Sequence, residues 1–194
     1  MARSTRRERR RQLADITLDI IAEKGLRRFT TAELAAGASI AEGTIFRHFD
    51  SKMEIVEAAI SRMEEVLFEG FPPKDPDPLS RLGKFFRKRL ELVARHPAVA
   101  ALVFSEQLVH AAGENGAKRI MEMRARSREL VIACLREAHQ KGLLAEHADP
   151  DHLFFVVQGA MASMVAALLE QMPVVVGRPA PEALWETVET LIRR

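Results

Sequence analysis

The chain has 194 residues, of which 47% are hydrophobic and 29% are charged. This composition is typical of a soluble globular protein with a sizeable core, and it excludes pervasive disorder and a collagen-like chain. The single cysteine, Cys134, cannot form an intrachain disulfide, and the first residues lack the pattern of a secretory signal. We therefore expect a cytoplasmic protein and not a secreted, disulfide-stapled one.

Charge is distributed unevenly along the chain. Residues 1–52 hold 11 basic and 7 acidic side chains, a net charge of +4, whereas the other 142 residues hold 18 and 20, a net charge of −2. Six of the first eleven residues are arginine, among them Arg6 and Arg7. Such a basic arm suits a polyanion, and a solvated, disordered tail is the alternative interpretation.

Apolar spacing and capping signals predict four helices before residue 70. The signals are a stop at Gly25, a capping box at Thr30–Glu33, apolar anchors at Ile40, Ile45 and Phe49, and a second capping box at Ser51–Glu54. The second and third helices are short and are separated only by residues 37–39. Together with the first helix they predict a three-helix unit behind the basic arm.

The prolines of residues 70–78 mark a connector, because proline interrupts both helices and central strands. Beyond it, apolar spacing predicts five more helices. We expect four of them at about residues 79–96, 97–112, 114–141 and 150–171, and the last after a loop at residues 173–181. No alternating strand pattern is present in the sequence. The chain is therefore predicted to be all-α, with about nine helices.

Two short capped helices joined by a tight turn match a helix-turn-helix. If the apolar side of the second helix is anchored in the core, its polar side points outward. That side holds Glu42, Thr44, Arg47 and His48. Arginine can bond a guanine edge, threonine can contact a phosphate or a thymine methyl group, and the free amides at Ser51–Lys52 can bind a phosphate. A solvated helix face is the alternative for these residues.

The run from Phe29 to Lys52, FTTAELAAGASIAEGTIFRHFDSK, resembles the DNA-binding segment of the TetR-type transcriptional regulators. The similarity is closest in GTIFRHFDSK and extends to the ending at Ile20–Gly25. It implies that residues 1–50 bind DNA and that residues 51–194 bind a ligand and dimerise, with the helix at 51–69 as the link. The candidate DNA contacts are Arg6, Arg7, Thr30, Thr31, Glu42, Gly43, Thr44, Phe46, Arg47, His48 and Lys52.

Three positions depart from the pattern of that family. Its usual tyrosine, which bonds a phosphate through the hydroxyl, is Phe46, so we expect one phosphate contact fewer. The usual turn glycine is Ser39, so the turn either holds a serine in a strained region or adopts another geometry. The usual Ser or Thr cap is Ala41, an exchange that costs about 1 kcal/mol of helix stability.

The stretch from Leu153 to Leu169 is free of charged residues. A membrane span is one interpretation, but its length is at the lower limit for a bilayer and basic anchors are missing from its ends. A buried helix whose small residues allow close approach is the other, and it favours a two-fold subunit interface with the last helix. The candidate interface residues are Gly159, Ala162, Ser163, Ala166, Trp185, Val188 and Ile192.

Methionine, aromatic and polar residues of the middle helices are candidates for an effector site. Most apolar residues of this kind form the core, but the family resemblance implies a cavity for a small molecule, and methionine with aromatic side chains suits an apolar lining. The candidates are Phe104, Gln107, His110, Met121, Phe154, Phe155, Gln158 and Met161.

Little in the sequence supports metal binding, a reactive thiol or catalysis. Residues 147–152 hold ligand-type side chains, but their spacing matches no zinc or calcium pattern. Cys134 lies on an apolar helix face and is expected to be an inert core thiol, and catalytic motifs are missing. We therefore expect no cofactor and no metal.

The resemblance implies a homodimeric repressor that a small, largely apolar ligand releases from a palindromic operator. A protein of the same fold that acts through a protein partner is the alternative. An enzyme or carrier with an incidental basic end is a further one, and it would require turnover without DNA binding.

Overall fold

The computed structural model describes residues 6–169 and 180–194, which form ten α-helices and one 3-10 turn at Leu26–Arg28. The helices are α1 (Arg6–Lys24), α2 (Thr31–Gly37), α3 (Glu42–Ile45), α4 (Lys52–Leu67), α5 (Pro78–Arg95), α6 (Pro97–Val103), α7 (Glu106–Ala111), α8 (Gly113–Gln140), α9 (Pro150–Leu168) and α10 (Pro181–Ile192). The all-α prediction is confirmed. The predicted loop at 173–181 lies, up to residue 179, outside the described residues.

Side-chain caps fix where several helices begin. Thr30 and Glu33 form the predicted capping box at the start of α2, with both N–H···O distances at 3.2 Å. At the start of α4 the Ser51 hydroxyl accepts from the Glu54 amide at 3.1 Å. The carboxylate of Glu54 returns to the amide of Asp50, at 2.6 Å, so this second box spans one residue more than predicted.

The helix expected at residues 97–112 is two helices, α6 and α7. They divide because the Ser105 hydroxyl accepts from the Leu108 amide at 3.1 Å and thereby caps a new helix. The expectation of about nine helices was one too low for this reason. A serine followed by Glu106 is a start signal that the apolar periodicity of this stretch concealed.

Internal contacts divide the chain into two units. The first contains the residues up to Leu67 together with 98–123, and the second contains 68–97 together with the residues from Arg124 onward. In the first unit α1 packs against α2 and α4, and α2 packs against α3. Leu13, Phe29 and Phe49 are completely buried there. This core holds the two short helices in place beside α1.

In the second unit α5, α9 and α10 pack against one another. Trp185 is 1% exposed, and its ring lies 5.4 Å from that of Phe86. Val188 and Ile192 are buried on the same side of α10. The expectation that these three residues of α10 face a second subunit was wrong, because α10 turns its apolar side to α5 and α9 of its own chain.

Helix α9 is the one helix among the described residues whose length and hydropathy would allow it to cross a membrane. Its buried side, which includes Val157, Met161 and Met164, faces the interior of the second unit. Gly159, Ala162 and Ser163 are exposed on the opposite side, and Ala166 is half-buried. Packing within the second unit accounts for the buried side of α9.

The last sequence candidates are the metal-ligand types at residues 147–152 and the thiol of Cys134. Asp149 caps α9 by accepting from the amides of Asp151 and His152, and among the described residues no group of three His, Cys, Asp or Glu is placed to hold a metal ion. Cys134 is 1% exposed, and burial raises the pKa of its thiol. A buried thiol with a raised pKa is a poor nucleophile, as expected for a core position.

Candidate DNA-binding interface

Helix α3 is oriented by two anchors. Ile45 and Phe49 are completely buried, and they fix the rotation of the short helix about its axis. Some residues between these anchors and before them therefore point outward, whereas Thr44 and His48 are half-buried. Gly43 and Arg47 are exposed, and Phe46 exposes 49% of its surface. The guanidinium of Arg47 has no partner among the described residues, so it is available to a ligand.

The turn between α2 and α3 carries two of the departures from the family pattern. Ser39 has φ of 53°, the left-handed region that favours glycine, so the turn keeps its usual geometry and strains the serine. Ala41 is the N-cap of α3 and supplies no side-chain hydrogen bond. Both expectations about local cost are confirmed: the turn and the cap are built from residues that stabilise them poorly.

Several predicted DNA contacts are engaged within the motif. Glu42 accepts a hydrogen bond from the hydroxyl of Thr31 at 2.5 Å, which ties α3 to α2. The hydroxyl of Thr30 is used in the capping box, and Thr44 is half-buried. The ammonium of Lys52 lies 5.5 Å from the centre of the Phe29 ring, at the start of α4. These contacts hold the outer face of the motif in a fixed arrangement.

The arginines of the basic arm divide into two groups. Arg6 and Arg7 are exposed at the start of α1. Arg10 is turned inward: it donates to the carbonyl of His48, pairs with Glu54 at 2.7 Å and lies 4.3 Å from the centre of the Phe49 ring. Sequence reasoning missed this role. The signal was available, since Arg10 stands three and seven residues before the buried Leu13 and Thr17 and continues their side of the helix.

His48 stands at the end of the motif among positive charges. Burial lowers the pKa of His48, and Arg6, Arg9 and Arg10 lower it further. Its Nδ1 atom is buried and has no hydrogen-bond partner among the described residues. The ring of the free protein is therefore neutral near pH 7.

Known proteins are similar to this chain in the helix-turn-helix region. A family model of bacterial regulatory proteins, the tetR family, matches residues 13–59. The repressor KstR2 of Mycobacterium tuberculosis H37Rv, described as an HTH-type transcriptional repressor, is 25% identical over 149 residues, which are 75% of this chain and 74% of that protein. The nucleoid occlusion factor SlmA of Haemophilus ducreyi is 34% identical over 68 residues, 34% of each chain.

Residues 13–59 are a DNA-binding domain of the tetR family. The chain is accordingly a DNA-binding transcriptional regulator and not an enzyme. Solved structures of the family share its fold. The KstR2 structure of M. tuberculosis has a TM-score of 0.71 at 20% identity and covers 96% of this chain and 95% of that one. AibR, in complex with isovaleryl coenzyme A and operator DNA, has a TM-score of 0.68 at 18% identity and covers 95% and 97%.

TetR-family regulators act on operator DNA as dimers and respond to small molecules. In this structure the predicted effector residues are divided between the two units. In the first unit Gln107 and His110 are exposed, and Phe104 and Met121 each expose 58% of their surface. These four residues therefore do not line a closed cavity of that unit. The apolar spacing of their helices identified amphipathic segments without showing which side faces the interior.

In the second unit the predicted effector residues lie on α9. Met161 is buried, and Phe154 and Gln158 are half-buried. Phe155 exposes 72% of its surface and meets Phe154 edge to face, with 5.5 Å between the ring centres. The two rings line a groove of about 480 Å³ between α8 and α9, together with Ala125, Arg128, Glu129, Ile132, Arg136 and Asp151.

Proposed function

We propose that the protein is a cytoplasmic repressor that binds a palindromic operator as a homodimer and leaves it when a small, largely apolar effector binds. The observation that supports operator binding most directly is the exposed segment formed by α3 and the turn that follows it. Ile45 and Phe49 are buried, whereas Gly43, Phe46 and Arg47 are exposed, and Arg47 has no partner in the described part of the chain. A free guanidinium held between two buried anchors is suited to bidentate contact with a guanine edge.

The dimer is proposed on the exposed side of α9. Gly159, Ala162 and Ser163 lie there, and small residues allow the helix of a second subunit to approach closely. The exposed Phe155 and, on α10, Leu191 with 70% of its surface exposed would supply apolar area at the same interface. A two-fold dimer of this kind would recognise two half-sites about 34 Å apart, one turn of DNA.

Operator binding is tested by selection from a random DNA pool with the purified protein near physiological salt. We expect a recovered palindrome whose half-sites are about one helical turn apart. Arg47→Ala is expected to lose about tenfold or more in specific affinity, since one good base contact has this value. Binding that is sensitive to salt but indifferent to sequence would contradict the proposal.

The effector is proposed to bind the second unit near Phe154, Gln158 and Met161. The groove of about 480 Å³ that Phe154 and Phe155 line has the size of a small-molecule site. AibR was crystallised with isovaleryl coenzyme A as well as operator DNA, which supports an acylated or otherwise apolar small molecule as the class to screen. The test is release of the selected operator in a fluorescence anisotropy assay. Phe154→Ala is expected to reduce the response without changing operator affinity in the absence of effector.

The alternative is action through a protein partner, and it is kept because some similar proteins are not named as repressors. Besides the Haemophilus ducreyi protein, SlmA of Shewanella pealeana is 26% identical over 174 residues, 88% of this chain, and is named a nucleoid occlusion factor. The two proposals are distinguished by whether a small molecule releases the protein from the operator. If no small molecule releases the operator, while the DNA-bound protein retains a specific partner protein at stoichiometric amounts, the alternative replaces the effector proposal.

A further inference from the structure

An apolar ring is exposed directly after α3. Phe46, the C-cap of that helix, exposes 49% of its surface and precedes Arg47, whose guanidinium has no partner among the described residues. A phenylalanine ring has no donor or acceptor for a phosphate, and solvating so large an apolar group is unfavourable. The ring therefore gains free energy if DNA binding removes it from water.

The buried residues on either side of Phe46 limit where its ring can point. Ile45, the preceding residue, is completely buried, as is Phe49, three residues after Phe46. Successive residues of a helix are turned by about 100° from each other, so Phe46 cannot share the inward direction of Ile45. Phe46 is the C-cap of α3, with φ of −71° and ψ of −5°, so its backbone keeps nearly helical angles. Its ring therefore points away from the side on which Ile45 and Phe49 are buried.

Gly43 leaves an opening next to the ring. Gly43 stands three residues before Phe46, so the two share one face of the helix. A Cβ atom built on Gly43 would meet nothing within 4 Å, and the residue is not among those with positive φ. Neither packing nor backbone conformation of the protein requires a glycine here. The missing side chain does allow the edge of a base pair to come close to the helix beside Phe46.

We propose that Phe46 recognises a thymine by packing its ring on the 5-methyl group in the major groove. The inference rests on the proposed operator binding and assigns a specificity to one position of it. The methyl group of thymine is the apolar group that the major groove presents, and an apolar side chain is its partner. Arg47 and Phe46 would then recognise neighbouring base pairs, one through hydrogen bonds and the other through apolar contact.

Replacement of thymine by deoxyuridine tests this directly, because it removes the methyl group and leaves every hydrogen-bonding atom unchanged. Each thymine of the selected operator is exchanged in turn, symmetrically in both half-sites. For the wild-type protein we expect one position at which the exchange weakens binding about fourfold per half-site, or roughly fifteenfold for the two together, the value of one buried methyl group. Exchanges at the other thymines are expected to have little effect.

The variant Phe46→Ala connects this effect to the ring. It is expected to bind the thymine and the deoxyuridine operators equally at that position. Met53→Ala is the matched control, because Met53 is an apolar residue of the same unit with 55% of its surface exposed, and it should keep the full difference. Circular dichroism and melting curves verify that both variants are folded, which is expected for exposed positions.

Two results overturn the inference. One is a wild-type protein that binds all deoxyuridine operators as tightly as the parent operator. The other is a deoxyuridine effect that persists in Phe46→Ala. In both cases a specific operator has been recovered, so the proposed function stands and only the role of Phe46 is lost. If selection recovers no specific operator, the proposed function and this inference fail together.

Discussion

Arg10 of α1 donates a hydrogen bond to the main-chain carbonyl of His48, at the end of the helix-turn-helix motif. The same guanidinium pairs with Glu54 of α4, and Glu54 accepts from the amide of Asp50 at 2.6 Å. One side chain thus connects the first helix, the recognition segment and the helix that follows it. An arginine of a basic arm serves here to position the motif.

Substitution of Arg10 is expected to weaken operator binding without removing a phosphate contact. Arg10→Ala loses the bonds to His48 and Glu54, so we expect a weaker specific affinity and an unchanged slope of log K against log salt. Arg7→Ala, at an exposed position, should instead reduce that slope by about 1. Titrations at four salt concentrations measure both slopes. If Arg10→Ala reduced the slope as much as Arg7→Ala, Arg10 would be a phosphate contact and not a positioning residue.

Gly43→Ala is expected to have opposite effects on stability and on binding. The added methyl group meets nothing within the protein and favours the helix, so the free energy of unfolding should rise by up to about 1 kcal/mol. Operator affinity should fall by about tenfold or more, the effect of one lost base contact, because the methyl group occupies the opening beside Phe46. Ser39→Gly is the control: it relieves the left-handed φ of 53° and should stabilise the protein without loss of affinity. Equal affinity of Gly43→Ala and wild type would exclude a close approach at this position.

The sequence was sufficient where structure depends on neighbouring residues. The stop at Gly25, the capping box at Thr30 and Glu33 and the cap at Asp149 were all predicted, because each involves residues within four positions. Which apolar residues of a helix are buried could not be predicted in this way. Trp185 is buried while Leu191 of the same helix is exposed, and this difference depends on where α5 and α9 lie.

Gly83→Ala is expected to destabilise the second unit. A Cβ atom at Gly83 would lie 2.4 Å from Nε1 and 2.7 Å from Cε2 of Trp185, and the indole is buried and bonded to Glu189 at 2.7 Å, so it cannot move freely. We expect a loss of about 1–3 kcal/mol in the free energy of unfolding, as for other overpacked cores. Urea unfolding measures it. Gly159→Ala, where a Cβ atom meets nothing, is the matched exchange and should not destabilise the subunit.

The lowered pKa of Asp77 predicts that the stability of the protein depends on pH. Burial acts to raise its pKa, but hydrogen bonds from Arg193 and Ser80 outweigh it and lower the pKa of Asp77 from 3.8 to about 2. A carboxyl group whose pKa is lowered by folding stabilises the protein above the unfolded pKa, and this contribution is lost as the pH falls from about 4 to about 2. Asp77→Asn keeps an oxygen to cap α5 and removes the charge. Wild type should be more stable than the variant at pH 7 by about 1–2 kcal/mol, with the difference disappearing near pH 2. A difference that is constant with pH would show that the charge of Asp77 has no role.

Ala162→Arg tests the proposed subunit interface. Ala162 is exposed on α9 between Gly159 and Ala166, so an arginine there does not disturb the core of its own subunit but obstructs close approach of another helix. We expect a monomer by light scattering, an unchanged helical content and an operator affinity reduced to the level of a single half-site, because binding at the second half-site is no longer intramolecular. Ala133→Arg makes the same exchange at an exposed position of α8 and should leave the dimer intact. A dimer of wild-type stability in Ala162→Arg would exclude this side of α9 as the interface and would favour another exposed surface for the two-fold contact.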